Sequence, residues 1–406
     1  MRVLFLTSQL PFPPYSGGPL RSYGLISGLH TAGHTVDLLT FTEPGQPDPA
    51  GTPLAERCAH IWSVPAPRRS VRDRLRDLLL SAEADMARRF YSVAYAEALA
   101  GALRGQAYDV IQIESLEMTP YLPVARALCP AARIIYDALN AEHDLQRLIH
   151  RIDRRTPARW PAALYSFIQW RRLIRMEREV CRAVDQVIAV SDEDARALRD
   201  LAPAARIAVV PNGIYADEYA ETHGRLDLGP AALLFTGTMN YRPNVDAVLW
   251  FAESVLEVIR EAVPEVKLFV VGNKPHPRLE AIRRRGDVEV TGFVQDVTPF
   301  LHSATLYVAP LRMGSGTRLK LLQAMAAGVA IVSTRIGAEG LNVVSGREVV
   351  LADDATTFAQ ATVALLRDPE RRAALGRAAQ ALVRQQYDWS VIMPRLLTVY
   401  RELGHG

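Results

Sequence analysis

Short apolar runs, each closed by a glycine, proline or asparagine turn and followed by a helical stretch, recur along the whole chain. Arg2–Thr7, Thr35–Phe41, His60–Val64, Asp109–Ile113, Arg133–Tyr136, Gln186–Val190 and Ile207–Val210 make one series. Leu233–Thr236, Lys267–Val271, Val288–Val290, Thr305–Ala309 and Ala330–Ser333 make a second. Runs this short and this continuously apolar are strands buried on both faces, which is the condition of a parallel sheet covered by helices. Helical stretches at Pro19–Thr31, Val71–Leu80, Glu83–Leu103, Thr356–Val383 and Val391–Leu403, with an amphipathic helix after Asn244, fill the intervals. The pattern predicts an α/β fold of two Rossmann-like, doubly wound domains, and 406 residues suit two. The first spans 1–212, a polar linker 213–230, and the second 231–388. In such sheets ligands gather at the C-terminal strand ends.

One of those ends carries the strongest chemistry. After Thr305–Ala309 the chain breaks at Pro310 and at Gly314 and Gly316, then enters a helix whose first turn holds Arg318 and Lys320. A glycine loop feeding a helix start leaves backbone N–H groups unpaired with the positive end of the helix dipole behind them, which suits an anion. Two side-chain cations add charge-assisted bonds to a phosphate. Gln323 lies five residues past Arg318, roughly 7–8 Å along the helix axis, about the step from a pyrophosphate to its ribose. A plain helix cap with solvated charges is the competing reading of this stretch.

The run YVAPLRMGSGTRLKLLQAMAAG (307–328) resembles the donor-binding helix of retaining glycosyltransferases of family 4, in the branch with a G-x-G-T-R-L-K motif. GTMNYRPNVDAVLWF (237–251), VTGFVQDVTPFL (290–301) and STRIGAEGL (333–341) stand at the spacing of the same C-terminal domain. The resemblance implies two Rossmann-like domains facing across a cleft, the GT-B arrangement, with the last helix, 389–406, packing back on the N-terminal, acceptor-side domain. It implies a nucleoside diphosphate sugar as co-substrate, no cofactor and no metal. Donor contacts then fall on Gly17, Gly18, Thr238, Arg242, Asn244, Gly272, Phe293, Val294, Gly314, Ser315, Gly316, Thr317, Arg318, Lys320 and Gln323, with the base read by backbone near Phe293 and Val294. Arg318 and Lys320 also carry the catalytic charge.

In the first half, the glycine pair Gly17–Gly18 followed by Arg21 resembles the loop that closes over the donor, although alone it reads equally as a turn. It is not the dinucleotide fingerprint G-x-G-x-x-G, because the glycines are adjacent and come ten residues after the strand. DALNAEHDLQR (137–147) places Asp137, Asn140, Glu142 and His143 just past a strand. It resembles the D-x-H-N-x-E element of the family and makes Asp137, Asn140 and Glu142, with Arg21, the acceptor-side candidates, Glu142 being the acid/base. A helix start capped by Asp137 and Asn140 is the equal alternative. Ser191 followed by Asp194 fits an N-terminal cap better than the D-x-D metal pair of a different fold.

From Leu145 to Arg182 the chain carries ten Arg against three acids, interleaved with Trp160, Tyr165, Phe167 and Trp170. A solvated helix is the default; the alternative is a peripheral contact of 145–182 with an anionic membrane. Nucleic acid fits worse, since overall charge is only +3 and no binding motif occurs. No apolar segment is long enough to span a bilayer and the N-terminus does not read as a signal peptide, so a cytoplasmic protein, at most peripheral at the inner face, is expected. Three scattered cysteines read as buried thiols in a reducing compartment.

Several charged positions of the wider family are absent. The His of D-x-H-N-x-E falls on Leu139, the two acids spaced eight apart fall on Ser315 and Gln323, and the Arg and Lys of the first loop in the second domain fall on Thr238 and Asn244, with Arg242 between them as a substitute. Two functions stay in view: a retaining transferase acting on a glycan or lipid-linked acceptor in cell-surface polysaccharide or glycolipid assembly, and a non-catalytic nucleotide-sugar-binding or assembly subunit. The glycine loop with Arg318 and Lys320 favours the transferase. A dehydrogenase is excluded by the missing fingerprint.

Overall fold

The computed structural model describes residues 1–14, 17–155, 157–220, 224–314 and 318–404, with Val71 known by its backbone alone. The chain divides into two compact units, Met1–Gly213 with Ile392–Gly406, and Ile214–Val391. Both are twisted parallel sheets wrapped by helices.

The first unit holds β1 (Arg2–Thr7), β2 (Thr35–Thr42), β3 (His60–Pro65), β4 (Val110–Glu114), β5 (Arg133–Ala138), β6 (Gln186–Ala189) and β7 (Ile207–Val209), in the order β3-β2-β1-β4-β5-β6-β7. Every pair is parallel, with Val3 opposite both Val36 and Val110. Strand interiors face helices on both sides, which is why they read as unbroken apolar runs. Leu4, Leu6, Leu39 and Ile111 join one core cluster, and Tyr136, Val187 and Ala189 another. The helices that matter below are α1 (Gly17–Thr31), α2 (Val71–Leu80), α3 (Glu142–Asp153), α4 (Trp160–Ala183) and α5 (Asp192–Leu201). At the start of α5 the Ser191 hydroxyl accepts from the Asp194 amide at 3.1 Å, and Asp194 accepts from the Ala141 amide at 2.8 Å. Ser191 is the cap of α5, and the Asp194 carboxylate takes the Ala141 amide and the Ser191 hydroxyl, as the N-terminal-cap reading expects.

The second unit holds β8 (Ala232–Thr236), β9 (Lys267–Val271), β10 (Val288–Gly292), β11 (Leu306–Ala309), β12 (Ile331–Ser333) and β13 (Val350–Leu351), ordered β10-β9-β8-β11-β12-β13 and parallel throughout. Its working helices are α6 (Ala216–Ala220), α7 (Arg242–Trp250) and α8 (Leu319–Ala326). The last helix, α9 (Trp389–Gly404), places its buried Tyr400 in the first unit, where the phenol donates to Gln112 of β4. The three cysteines are free and buried, and burial pushes the Cys58 and Cys181 thiols up to about 12. Among the described residues no helix is long and apolar enough to cross a membrane.

Where the sequence reads a linker over 213–230, the structure begins the second unit at Ile214. Ile214 is 1% exposed and its amide donates to the Tyr387 carbonyl at 2.9 Å, so the start of the segment joins the core of the second unit, while residues 224–227 are exposed. The helix expected over Glu83–Leu103 is two, Asp85–Arg89 and Val93–Gly105, because the Ser92 amide donates to the Tyr121 hydroxyl at 2.8 Å instead of up the helix. Thr356–Val383 likewise breaks before Pro369, where Asp368 accepts from the Arg371 amide at 2.9 Å and starts a new helix.

The strand ends of the second unit approach so closely that glycine is required. A methyl group on Gly272 would lie 1.7 Å from the Gly237 carbonyl oxygen. Gly272→Ala is therefore expected to lose at least about 1–3 kcal/mol in urea denaturation. Gly286→Ala, where a methyl meets nothing within 4 Å, is expected to unfold like the parent. Equal midpoints for the two variants would refute the close approach.

Candidate functional site

In the second sheet the strand order reverses between β8 and β11, and the loops that follow these strands open there. Lys320 enters this place from the first turn of α8. Its Nζ donates to Asn244 Oδ1 at 2.6 Å and lies 4.5 Å from the centre of the Phe235 ring. Asn244 in turn donates from Nδ2 to the Thr238 carbonyl at 3.0 Å, which ties the β8 loop to α7. A methyl group on Gly237 would sit 2.8 Å from Lys320 Nζ and 2.7 Å from Asn244 Nδ2, so the backbone must be bare there. Burial, and then the charge of Arg318, lower the Lys320 pKa to about 7.

Arg318 stands at the N-terminal cap position of α8 with its side chain 10% exposed, Nη2 lying 3.8 Å from Glu339 Oε2. Gly314 adopts φ +131°, and a methyl group on it would come within 2.5 Å of Nη2, so the guanidinium lies against this glycine. Gln323 donates from Nε2 to the Tyr219 hydroxyl at 2.9 Å, a partner from α6. Arg242 is the first residue of α7 and half-buried. Arg312 is committed elsewhere, paired to both Asp246 oxygens at 3.0 and 2.8 Å over the Trp250 ring. Phe293 is 61% exposed, while Val294 packs against the core. Ser315, Gly316 and Thr317 lie outside the described residues.

The acceptor-side candidates need correction. Arg21 and Asp137 have side chains 0% and 1% exposed, and they pair with each other at 2.7 Å. Arg21 Nη1 also donates to the Val210 and Pro211 carbonyls and to Asn212 Oδ1 at 3.0, 3.2 and 3.1 Å. Gln112 Nε2 donates to Asp137 at 3.0 Å. All their hydrogen-bonding capacity is turned inward, so this pair builds the unit and does not face an acceptor. Gly17 and Gly18 open α1, and a methyl group on Gly18 would meet Glu114 Oε1 at 3.1 Å and Leu139 at 3.6 Å.

Glu114, the last residue of β4, does not stand out in sequence, where the strand reads as ending one residue earlier, at Ile113. It lies beside β1 where the first sheet reverses, taking the Ser22 hydroxyl at 2.8 Å and the Ser8 amide at 3.3 Å, and burial pushes its pKa to about 7. Asn140 donates to Glu142 Oε1 at 3.1 Å, and burial raises the Glu142 pKa to about 8, so Glu142 is mainly protonated at neutral pH. The α3 start is capped by Glu177, reaching across from α4 to the Glu142 and His143 amides at 3.1 Å each and to His143 Nδ1 at 2.6 Å. Asp137 and Asn140 are not its caps. Glu339 and Tyr219 were also unmarked; Glu339 lies in the STRIGAEGL run, but nothing in that run says that it faces Arg318.

Known proteins share these patterns. A family model described as Glycosyl transferases group 1 matches residues 230–368, and one described as Glycosyl transferase 4-like domain matches residues 16–213. A phosphatidyl-myo-inositol mannosyltransferase of Mycolicibacterium smegmatis is 31% identical over 227 residues, 53% of this chain and 57% of that protein. A glycogen synthase of Mycobacterium tuberculosis is 28% identical over 216 residues, 50% of each. The chain thus spans about half the length of the curated relatives it matches. Sucrose-phosphate synthase from Thermosynechococcus elongatus superposes with TM-score 0.72 at 17% identity over 100% of both chains. Anabaena HepE, solved with UDP-glucose, superposes with TM-score 0.63 at 14% identity, covering 99% of this chain and 100% of that one. The fold is that of the GT-B glycosyltransferases, and both units carry glycosyltransferase domain patterns.

Two measurements check the site. Arg21→Met leaves the Asp137 carboxylate buried without its cation and is expected to destabilise the protein by about 3–5 kcal/mol in chemical denaturation, with nucleotide affinity unchanged. A loss below about 1 kcal/mol would return Arg21 to the ligand-facing set. For Lys320, whose folded pKa lies near 7 against an ordinary value of 10.5, the unfolded chain holds more protons between those pH values. Stability contributed by this group therefore rises with pH across that window. Affinity for a nucleoside diphosphate should fall over the same range as the free protein gives up the proton the anion needs. Titration calorimetry from pH 6 to 9 should show this fall in the parent and a flat profile in Lys320→Met.

Proposed function

We propose that this protein is a retaining glycosyltransferase that moves a sugar from a nucleoside diphosphate sugar to a glycan or lipid-linked acceptor. The supporting observation is the pair Arg318 and Lys320 at the reversal point of the second sheet, pressed against Gly314 and Gly237. The HepE structures with UDP and UDP-glucose, on the same fold, support the donor class. A relative named for mannosyl transfer to phosphatidyl-myo-inositol supports a lipid-linked acceptor and a setting in glycolipid or cell-surface polysaccharide assembly. On this reading the protein works in the cytoplasm, with a peripheral contact at the inner membrane face through residues 145–182.

In the proposed reaction the bond from the anomeric carbon to the diphosphate oxygen breaks, and the electron pair leaves with the diphosphate. The acceptor hydroxyl bonds to that carbon on the face just vacated and passes its proton to the departing phosphate oxygen, so configuration is retained. Negative charge grows on the diphosphate, where Arg318 and Lys320 stabilise it. An arriving phosphate restores the Lys320 proton that burial weakens. These two cations take the role a metal fills elsewhere, so activity should persist in EDTA. Glu142, one oxygen of which takes the Asn140 amide, is the first unit's candidate for binding the acceptor.

A second reading, a non-catalytic nucleotide-sugar-binding or assembly subunit, draws on Leu139 in place of histidine and on Gln323, whose amide is engaged by Tyr219. One experiment separates the two. A panel of nucleotide sugars is screened for thermal stabilisation, then the best binder is mixed with lipid and glycan extracts and free nucleoside diphosphate is measured. Selective stabilisation with acceptor-dependent release supports the transferase, and stabilisation without release supports the subunit. Arg318→Ala should cut turnover by about 100- to 1,000-fold with saturating donor, the effect of one lost transition-state donor. Near-parental turnover would remove Arg318 from the proposed chemistry.

A further inference from the structure

Helix α2 turns Asp77 inward and three of its leucines outward. Asp77 accepts from Arg69 Nη2 at 2.7 Å and from Arg88 Nη1 at 3.3 Å. Arg172 of α4 donates to the Asp77 and Leu78 carbonyls at 3.4 and 2.7 Å, closing the last turn of α2 against α4. Arg74 reaches the Tyr165 hydroxyl of α4 at 3.3 Å. With its polar side fastened this way, α2 leaves Leu75, Leu79 and Leu80 exposed by 54%, 80% and 82%. Leu75 and Leu79 are four residues apart and share an exposed face.

The helix beside it repeats the arrangement. Trp160, Leu164 and Phe167 are 62%, 61% and 41% exposed, at steps of four and three along α4, while Ala163, Gln169, Leu173 and Glu177 face in. Charge on this part of the molecule is mainly positive, although Asp73 of α2 and Glu83 beside it also reach the surface, with side chains 42% and 59% exposed. Of the three acids among the ten arginines of 145–182, Asp153 and Glu177 are each 0% exposed, which leaves Glu179 alone at the surface. Arg151, Arg154, Arg155, Arg171 and Arg175 are exposed, as are Arg72 and Arg76 on α2.

We propose that α2 and the N-terminal half of α4 form a docking face for an anionic lipid bilayer, with Leu79, Leu80 and Trp160 entering the interfacial layer and the surrounding arginines meeting lipid phosphates. This deepens the membrane contact proposed above by adding α2, and it rests on that reading only for the use made of the contact. Apolar side chains ringed by arginine match a surface whose outer layer is phosphate and whose interior is hydrocarbon. A second copy of this chain fits poorly, since its own face would bring the same arginines together.

The test is cosedimentation of the full-length protein with vesicles of phosphatidylcholine alone and of phosphatidylcholine with phosphatidylglycerol. The parent should sediment with the anionic vesicles only, and high salt should weaken the binding. The double variant L79E/L80E should lose at least about tenfold in partitioning, a difference of about 1.4 kcal/mol, and Trp160→Ala should lose part of it. Because these side chains are exposed, thermal melting and the response to uridine diphosphate should match the parent. A parent that stays in solution with anionic vesicles overturns the proposal, as does L79E/L80E binding like the parent. A self-association broken by L79E/L80E in sedimentation velocity, without vesicle binding, would assign the face to a second copy and also overturn it. Vesicle binding without a response to any nucleotide sugar would sink the transferase reading and leave the docking face standing.

Discussion

A half-buried lysine ammonium near an arginine is expensive, and the loops at the reversal of the second sheet are arranged around that expense. Lys320 has a neutral amide oxygen from Asn244 and the face of Phe235 for company, and neither cancels a charge. The penalty appears as a pKa lowered to about 7. An arriving anion relieves it, so the place prefers a polyanion before any specific contact is counted. The same demand fixes Gly237 and Gly314, because a methyl group at either would collide with the cation it borders. Sheet order, glycine and lysine are thus one requirement: bare backbone and buried charge at the C-terminal strand ends.

Arg21 in the first unit shows what a charge looks like when nothing is left for a ligand. Its guanidinium meets two Asp137 oxygens, two carbonyls and the Asn212 amide oxygen, with its side chain 0% exposed. Arg21 follows a glycine pair and Arg318 follows Gly314 and Gly316, so by residue type both read as cations facing a ligand. Their partners separate them. Asp137, two carbonyls and the Asn212 amide oxygen make Arg21 a brace between β5, the end of β7 and α1, while Glu339 lies 3.8 Å from Arg318.

The fold was legible because parallel strands advertise themselves: a run apolar on both faces admits few other readings, and the thirteen strands among the described residues include the twelve that stand out in the sequence. β13, two residues long, carries too little pattern to be seen. Helix breaks at Ser92 and Asp368 were hidden because a distant hydroxyl in one case and a local cap in the other overruled a continuing helical pattern. Within the site, Arg318, Lys320 and their glycines could be read from local spacing. Glu114, Glu339 and Tyr219 could not, since each matters through a residue far away in sequence, and no periodicity encodes that meeting. The arginine-rich stretch shows a similar limit. Its composition is plain, but its sidedness comes from Asp153 and Glu177 turning inward, which only packing reveals.

The positions where this chain departs from its relatives bear on recognition more than on the barrier of the proposed reaction. Charge develops on the departing diphosphate, and a carboxylate near it would oppose that development. The absence of an acid at Ser315 and at Gln323 therefore removes no stabilisation from the leaving group. What it removes is the charge-assisted bond that a carboxylate offers to a sugar or ribose hydroxyl, roughly twice the strength of a neutral one. Gln323 can still accept and donate, and Tyr219 at 2.9 Å holds its amide in one orientation, as a fixed side chain must be held to read a hydroxyl. In the proposed reaction both cations act on the transition state, and the neutral residues Ser315 and Gln323 bear on the choice of donor.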